Sequence, residues 1–295
     1  ADPGDLAMLL FTSGSTGHPK GICYTHRNLI ENVASSAKIN HVTESDVTLN
    51  WLHLDHVGAL VRCCIRDVYI GNTQIHAATQ LFLHDPLRWL KWIDTHRVTF
   101  AWAPNFGLSL LNDRLRVAPS LNTDLSFVRS ILSVAEPIVP KVAREFAANL
   151  ERFGIGPEKL HAAWGMSETC AAVVFSYDFL SQLPSPDYPF VEVGSPVPGL
   201  SIRIVDSDDR IVNEGSVGNV QITGPMVVSS YFADDEETNS AYTNDGWFRT
   251  GDLGLLKNGR LTITGRKKDT IIINGRNIAN HEVEAVVDAV PGVKK

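Results

Sequence analysis

The apolar residues at the start of this 295-residue chain follow two different periods. An uninterrupted run from Leu6 to Phe11 is typical of a buried strand. After Thr25, whose hydroxyl can cap a helix, apolar residues recur at helical spacing and predict one packed face. That face comprises Leu29, Ile30, Val33, Ala34 and Ala37. The pattern therefore predicts a strand, a polar loop and an amphipathic helix.

The middle of the chain alternates between strand-like and helix-like segments. Asp85-Pro86 opens a predicted helix and Val98 to Trp102 reads as a strand. Phe127 to Ala135 is predicted as the next strand, and Pro140 to Phe153 as a helix that Gly154 ends. Strands that alternate with helices indicate an α/β fold with a mixed or parallel sheet and crossover helices.

From Val191 onward the pattern changes to short apolar runs separated by turn residues. These runs are Ile202–Val205, Asn219–Thr223, Leu253–Leu256 and Leu261–Thr264. Asn258-Gly259 between the last two is a strong signal for a two-residue hairpin. The region predicts a small antiparallel β-barrel subdomain.

Composition narrows the class of protein. The chain is 44% hydrophobic and 20% charged, with a net charge of −7, which argues against a nucleic-acid partner. No apolar run approaches the ~20 residues of a membrane span. The cysteines, Cys23, Cys63, Cys64 and Cys170, form no CxxC pair. We therefore expect neither a disulfide nor a zinc framework, and a cytoplasmic location.

A loop rich in hydroxyl residues and glycine follows the first predicted strand. The full string is TSGSTGHPKG, and its candidate phosphate-binding residues are Thr12, Ser13, Gly14, Ser15, Thr16, Gly17 and Lys20. Loop N–H groups and hydroxyls can surround phosphate oxygens, and Lys20 adds a positive charge. The spacing differs from the GxxxxGK[ST] loop, and a polar surface turn is the alternative for such a loop taken alone.

Three further motifs follow in order. They are WGMSET, which contains Trp164, Gly165, Ser167 and Glu168; GWFRTGD, which ends at Asp252; and GRKKD, which contains Arg266 and Lys268. With the loop, these motifs resemble the adenylate-forming superfamily of acyl-CoA synthetases, fatty acyl-AMP ligases and adenylation domains of polyketide or peptide synthetases. The AEPI and FGIGPEKLHAAWGMSE segments look most like fatty acyl-AMP ligases and polyketide-synthase loading domains.

The resemblance implies roles at the nucleotide end of a site. Trp164 offers a flat face for adenine, Ser167 a hydroxyl for the α-phosphate, and Glu168 an oxygen ligand for Mg²⁺. Asp252 matches the acidic residue that accepts the ribose hydroxyls, and Arg266 the arginine that contacts ribose and phosphate. By the same resemblance, Ala135, Glu136 and Pro137 line the adenine pocket, and Lys268 is the hinge between a large and a small domain.

At the acid end, the resemblance assigns His56 to the end of a strand beside the acyl pocket. A neutral imidazole there can bind a carboxylate and gate access for a thiol. The alternative is a metal site, but His53, Asp55 and His56 match no recognised ligand spacing. Val57 stands where amino-acid-activating relatives place an aspartate for the substrate ammonium. The resemblance thus implies an acid without a free α-amino group.

The implied reaction is the ATP-dependent activation of a carboxylic acid, followed by transfer to a thiol. The expected catalytic residues are His56, Glu168 and Lys20; the cofactors are ATP and Mg²⁺; and the acceptor is CoA or a carrier-protein phosphopantetheine. We expect a loading domain of a polyketide or peptide synthase with an acyl or peptidyl carrier protein as its partner. A stand-alone acyl-CoA synthetase and a degenerate nucleotide-binding pseudo-ligase are the alternatives.

The domain organisation is also an expectation from the resemblance. It places the α/β part of the large domain at residues 1–190, the β-barrel subdomain at 191–267, and the hinge with the start of a small α+β domain at 268–295. Both ends look truncated. A family lysine late in the small domain has no counterpart, so this piece alone is expected to be impaired.

Overall fold

The computed structural model describes residues 1–12, 19–117, 121–183, 185, 188–273, 276–279, 287 and 290. Its strands are β1 (Leu6–Thr12), β2 (Lys20–Thr25), β3 (Val47–Asn50), β4 (Thr73–His76), β5 (Phe100–Ala103), β6 (Ser130–Ser133), β7 (Leu160–Gly165), β8 (Ala172–Ser176), β9 (Val191–Pro196), β10 (Ser201–Val205), β11 (Gly218–Thr223), β12 (Phe248–Lys257), β13 (Arg260–Arg266), β14 (Thr270–Ile273) and β15 (Arg276–Ala279).

Helices connect most of these strands. The α-helices are α1 (His26–Ile39), α2 (Arg66–Ile70), α3 (Thr79–His84), α4 (Leu87–Thr95), α5 (Asn105–Val117), α6 (Pro140–Glu151), α7 (Phe179–Gln182) and α8 (Asp235–Ala241). A π-helix, Gly58–Ile65, runs into α2, and short 3₁₀ helices cover Pro157–Lys159, Ser167–Thr169 and Lys267–Asp269. Among the described residues, no helix combines the length and hydropathy that a membrane crossing requires.

One mixed sheet of eleven strands forms the frame in the part of the chain that the structure describes. Its order is β10-β11-β12-β13-β9-β8-β7-β6-β5-β3-β4. The pairs from β4 to β7 are parallel, and those from β7 to β10 are antiparallel. The predicted α/β class and the antiparallel region are confirmed. The two parts share one sheet because β8 and β9 bridge them.

The crossover helix after β6 and the hairpin appear where the sequence predicts them, whereas the sequence analysis did not predict α5. Helix α5 links the parallel strands β5 and β6, and α6 links β6 and β7. Each is a crossover connection of the kind that parallel neighbouring strands need. Gly154 ends the α6 region with a φ of +84°. Asn258 and Gly259 both have positive φ, 51° and 70°, which a type I′ hairpin turn requires.

Two predictions about local structure are wrong. Strand β1 is not buried: Leu6 and Phe11 are 55% and 59% exposed, because β1 forms a two-stranded antiparallel ribbon with β2 beside the main sheet. His56 does not end a strand, because β3 stops at Asn50 and the chain then turns, with His56 N donating to the His53 carbonyl. In the predicted face of α1, Leu29, Val33 and Ala37 are buried, Ala34 is half-buried and Ile30 is 50% exposed.

The predicted domain boundaries stay predictions. β9 begins at Val191, at the first predicted boundary, but it pairs with β8 of the preceding region. The predicted cytoplasmic location likewise stays a prediction.

Candidate active site

A cleft of about 480 Å³ opens where the parallel strands end. Trp102 at the end of β5, Val134 after β6 and Gly165 at the end of β7 line it. This is the place where open α/β sheets bind ligands. The predicted site residues that line the cleft are Thr12, Lys20, His56, Ala135, Gly165, Ser167, Glu168, Arg266 and Lys268. Ser13 to Gly17 lie outside the described residues.

Lys20 lies at the start of β2, on the cleft wall next to the candidate phosphate loop. Its ammonium forms an ion pair with Glu237 of α8, and lies 5.5 Å from the centre of the Tyr231 ring. Both partners line the cleft. The lysine side chain is 17% exposed, so protein atoms hold this charge in position.

Glu168 is presented by a tight turn after β7. The Thr169 hydroxyl, fully buried, accepts from Met166 N at 3.0 Å and fixes the 3₁₀ turn. Gly165 is required at the strand end, since a Cβ there would lie 2.3 Å from the Ala171 carbonyl oxygen. Glu168 Oε1 accepts from the Tyr231 hydroxyl at 2.8 Å.

Two buried tyrosines support this turn. Tyr24 donates its hydroxyl proton to the Ser167 carbonyl at 3.0 Å, and Tyr231 donates to the Glu168 carboxylate. Burial raises the pKa of both phenols, and the nearby Glu168 charge raises the pKa of each further. Both therefore remain hydrogen-bond donors, so the Glu168 carboxylate is held in one orientation.

Hydrogen bonds join three residues at the end of the cleft that is predicted to hold the nucleoside. Asp252 on β12, 3% exposed, accepts from Trp164 Nε1 at 2.9 Å and from Arg266 Nε at 3.0 Å. Arg266 lines the cleft, and Trp164 and Asp252 lie directly behind it. The adenine and ribose roles of Trp164 and Asp252 stay predictions.

The adenine segment is only partly in the cleft. Ala135 lines it, with a φ of +78° that turns the chain after β6. Glu136 Oε2 accepts from Phe106 N at 2.9 Å, which fixes the start of α5 instead of facing the cleft wall. Neither Glu136 nor Pro137 is among the described residues that line the cleft.

His56, Val57 and Trp102 line the end of the cleft that is predicted to hold the acid. His56 Nδ1 accepts from Gly58 N at 3.1 Å, so the ring is assigned as neutral with its proton on Nε2. His56 is exposed at the cleft mouth, but partial desolvation by the surrounding protein lowers its pKa, although the Asp55 charge opposes this. Val57 is 7% exposed. His53 and Asp55 are exposed in the turn and belong to no cluster of metal-binding side chains among the described residues.

Sequence reasoning missed several cleft residues, among them Arg62, Trp102, Tyr231 and Glu237. An acidic first turn after Asp234 predicts a helix at α8, but nothing in its spacing indicates that Glu237 reaches Lys20 across 217 positions. Trp102 reads as an ordinary strand residue. All four reach the cleft only because the fold brings distant segments together.

The cleft and its edge thus combine a lysine, a carboxylate on a tight turn and an aspartate–arginine pair, the charged groups that the sequence motifs predict for one site. The profile of the AMP-binding enzyme family matches residues 1–232. The chain therefore belongs to the AMP-binding enzyme family.

Known relatives are similar along the whole chain. The nonribosomal peptide synthetase apvA of Aspergillus terreus is 36% identical over 98% of this chain and 32% of its own length. The McyG A-PCP structure, complexed with phenylalanyl-adenylate, is 40% identical with a TM-score of 0.95 over 100% of this chain and 53% of that one. An adenylation domain of a keto acid-selecting peptide synthetase module, bound to keto acyl adenylate, is 39% identical with a TM-score of 0.86 over 100% and 57%. The chain thus spans about a third of this curated relative.

Proposed function

We propose that the protein to which this chain belongs activates a carboxylic acid with ATP as an acyl-adenylate and then transfers the acyl group to the thiol of a carrier-protein phosphopantetheine arm. The observation that carries the proposal is the single cleft that brings Lys20, Glu168, Arg266 and His56 together. Membership of the AMP-binding family supports the ATP half, and the A-PCP architecture of McyG supports the carrier-protein half.

The side chains divide the work along the cleft. Lys20 offsets charge on the leaving phosphates, and Arg266 with Asp252 holds the nucleoside. The acid occupies the end lined by His56, Val57 and Trp102, where its carboxylate can attack the α-phosphate. Chemistry of this kind depends mostly on positioning and on neutralising charge.

Glu168 fits the role of a magnesium ligand. Tyr231 occupies one carboxylate oxygen at 2.8 Å, and the other makes no hydrogen bond among the described residues. One protein carboxylate together with substrate phosphates and waters is a usual set of Mg²⁺ ligands. When bound, Mg²⁺ would neutralise charge on the phosphates.

The acid is proposed to lack an α-ammonium group. Val57, buried at the acid end, has no charge to pair with an ammonium, and leaving one unpaired costs several kcal/mol. The two solved relatives carry different acyl groups, phenylalanyl in one and keto acyl in the other. The proposal therefore rests on Val57.

The test uses the full-length protein and a panel of fatty, aryl, keto and amino acids. We expect acid-dependent pyrophosphate exchange with an acid that has no α-amino group, and a mass shift on the cognate carrier protein. Transfer to free CoA with no loading of a carrier would contradict the carrier-protein half. Absence of exchange with every acid, despite ATP binding, would identify a degenerate nucleotide-binding domain.

A further inference from the structure

Arg62 is a buried cation in the cleft wall that forms no ion pair among the described residues. It lies on the π-helix, lines the cleft and is 6% exposed. Its guanidinium makes no hydrogen bond or ion pair within the part of the chain that the structure describes. The guanidinium carbon of Arg62 lies over the Phe175 ring, 5.7 Å from its centre. A desolvated cation held in this way is costly unless something else balances it.

The neighbouring buried arginine shows how this fold treats such a charge. Arg66 is completely buried and pairs with Asp67 at 2.8 Å, with Thr48 as a further acceptor at 3.3 Å. Asp67 Oδ1 thus pairs with Arg66, and the Asp67 charge acts on Arg62 only at longer range, without an ion pair. Burial and the nearby Arg66 charge lower the pKa of Arg62 to about 10, so Arg62 still carries its proton at neutral pH. The wall of the cleft therefore holds a positive charge that the described residues do not pair.

The position of Arg62 relates it to the acid rather than to the nucleotide. Gly58, four residues earlier on the same helix, lies beside His56 and Trp102, since a Cβ on it would meet both rings within 3.4 Å. Residues four apart on a helix lie about 5–6 Å from one another. Arg62 is therefore about one helical turn beyond Gly58, on the cleft wall that continues from His56 and Trp102.

We propose that Arg62 binds a second oxygen acceptor on the acyl substrate, a carboxylate or a carbonyl group beyond the carboxyl that is activated. This assignment rests on the proposed function. A guanidinium presents a planar fork of donors that matches a carboxylate in two parallel hydrogen bonds, and it binds a lone carbonyl through fewer. A carboxylate also neutralises the buried charge of Arg62, so it should bind more tightly than a carbonyl group.

Matched pairs of acids test the assignment in the full-length protein. Hexanoate and adipate differ by a distal carboxylate, and 3-phenylpropanoate and phenylpyruvate differ by a ketone. We expect pyrophosphate exchange to favour the oxygenated member of at least one pair by tenfold or more in kcat/KM. Arg62→Met, which preserves volume without charge, should reduce that ratio at least tenfold, mainly through KM. Arg62→Lys should restore part of it.

Arg203→Met is the matched control. Arg203 also stacks on an aromatic ring, 4.4 Å from the centre of Trp247, and its side chain is 14% exposed, but it does not line the cleft. The Arg203→Met variant should show the same kcat/KM ratios between the paired acids as the wild type. When the wild type supports exchange, the assignment is overturned if it prefers neither oxygenated acid, or if Arg62→Met leaves both ratios unchanged.

A separate measurement distinguishes this failure from failure of the proposed function. Adipate and phenylpyruvate are titrated calorimetrically into the wild type and the Arg62→Met variant in the presence of AMP. If no acid supports exchange but Arg62→Met still weakens binding tenfold, the activity is wrong and the Arg62 assignment stands. Equal binding by both proteins rejects the assignment whatever the exchange assay shows.

Discussion

Trp164 donates its indole N–H to Asp252 Oδ2 at 2.9 Å, across 88 positions of sequence, while Arg266 donates to the other oxygen of the same carboxylate. Two predicted nucleotide residues are therefore partners of each other. The carboxylate is almost completely buried, and its orientation is fixed from two sides. The proposed acceptor for the ribose hydroxyls is therefore oriented by protein partners alone.

Asp252→Ala is expected to weaken AMP and ATP binding by about 1.5–3 kcal/mol, because it removes the charged acceptor proposed for the ribose hydroxyls. Trp164→Phe, which keeps a ring but loses the N–H, should cost only about 0.5–1.5 kcal/mol. Calorimetry measures both, with Asp208→Ala as an exposed control outside the cleft. Unchanged affinity in Asp252→Ala would refute the ribose role.

Glu168→Gln is expected to preserve the fold and lower acid-dependent pyrophosphate release by orders of magnitude. A neutral amide is a poorer Mg²⁺ ligand than a carboxylate, yet it can still accept from Tyr231. The measurement is release rate against Mg²⁺ concentration, with the melting temperature as the check on folding. A rate near that of the wild type means that Glu168 is not the metal ligand.

Lys20→Met is expected to raise KM for ATP by at least about tenfold, since a charged hydrogen bond contributes about 1.5–3 kcal/mol. Glu237→Gln keeps the lysine charge and should change KM less. The double variant should show coupling between the two residues, because they form an ion pair in the cleft. Lys38→Met, at the exposed end of α1, is the control. Additive effects would mean that the pair does not act as a unit.

Val57→Asp is expected to shift preference toward an α-amino acid over its keto analogue, because it supplies a charge for the ammonium at the acid end. The shift is measured as the ratio of kcat/KM values in pyrophosphate exchange. Some loss of stability is expected, since residue 57 is buried. A wild type that already prefers the amino acid contradicts the proposed substrate class.

The acid limb of the pH–rate profile is expected below the ordinary histidine pKa of about 6.5. Burial lowers the pKa of His56, and protonation of Nδ1 would also remove the hydrogen bond from Gly58 N. The neutral form therefore persists down to lower pH than in a free imidazole, and activity falls as the ring becomes charged. His56→Gln should remove this limb. If the limb survives in that variant, another group controls it.

The sequence by itself determined the class of fold and several of the residues that line the cleft. Alternating strand and helix patterns predict the parallel strands because hydrophobic period depends on local geometry. The Asn258-Gly259 hairpin follows from backbone conformations that few residues adopt. The motif residues Lys20, Glu168 and Arg266 do line one cleft, as their types predict.

Only the tertiary structure decided which side chains meet. Local pattern does not show that β8 and β9 join the two halves of the sheet, that Leu6 and Phe11 remain exposed, or that Glu136 bonds Phe106 N. The pairing of Lys20 with Glu237 depends on long-range packing, because charge alone does not indicate which acidic residue in the sequence Lys20 will contact. The unpaired Arg62 is also visible only in three dimensions, since the burial that makes its charge costly arises from distant elements.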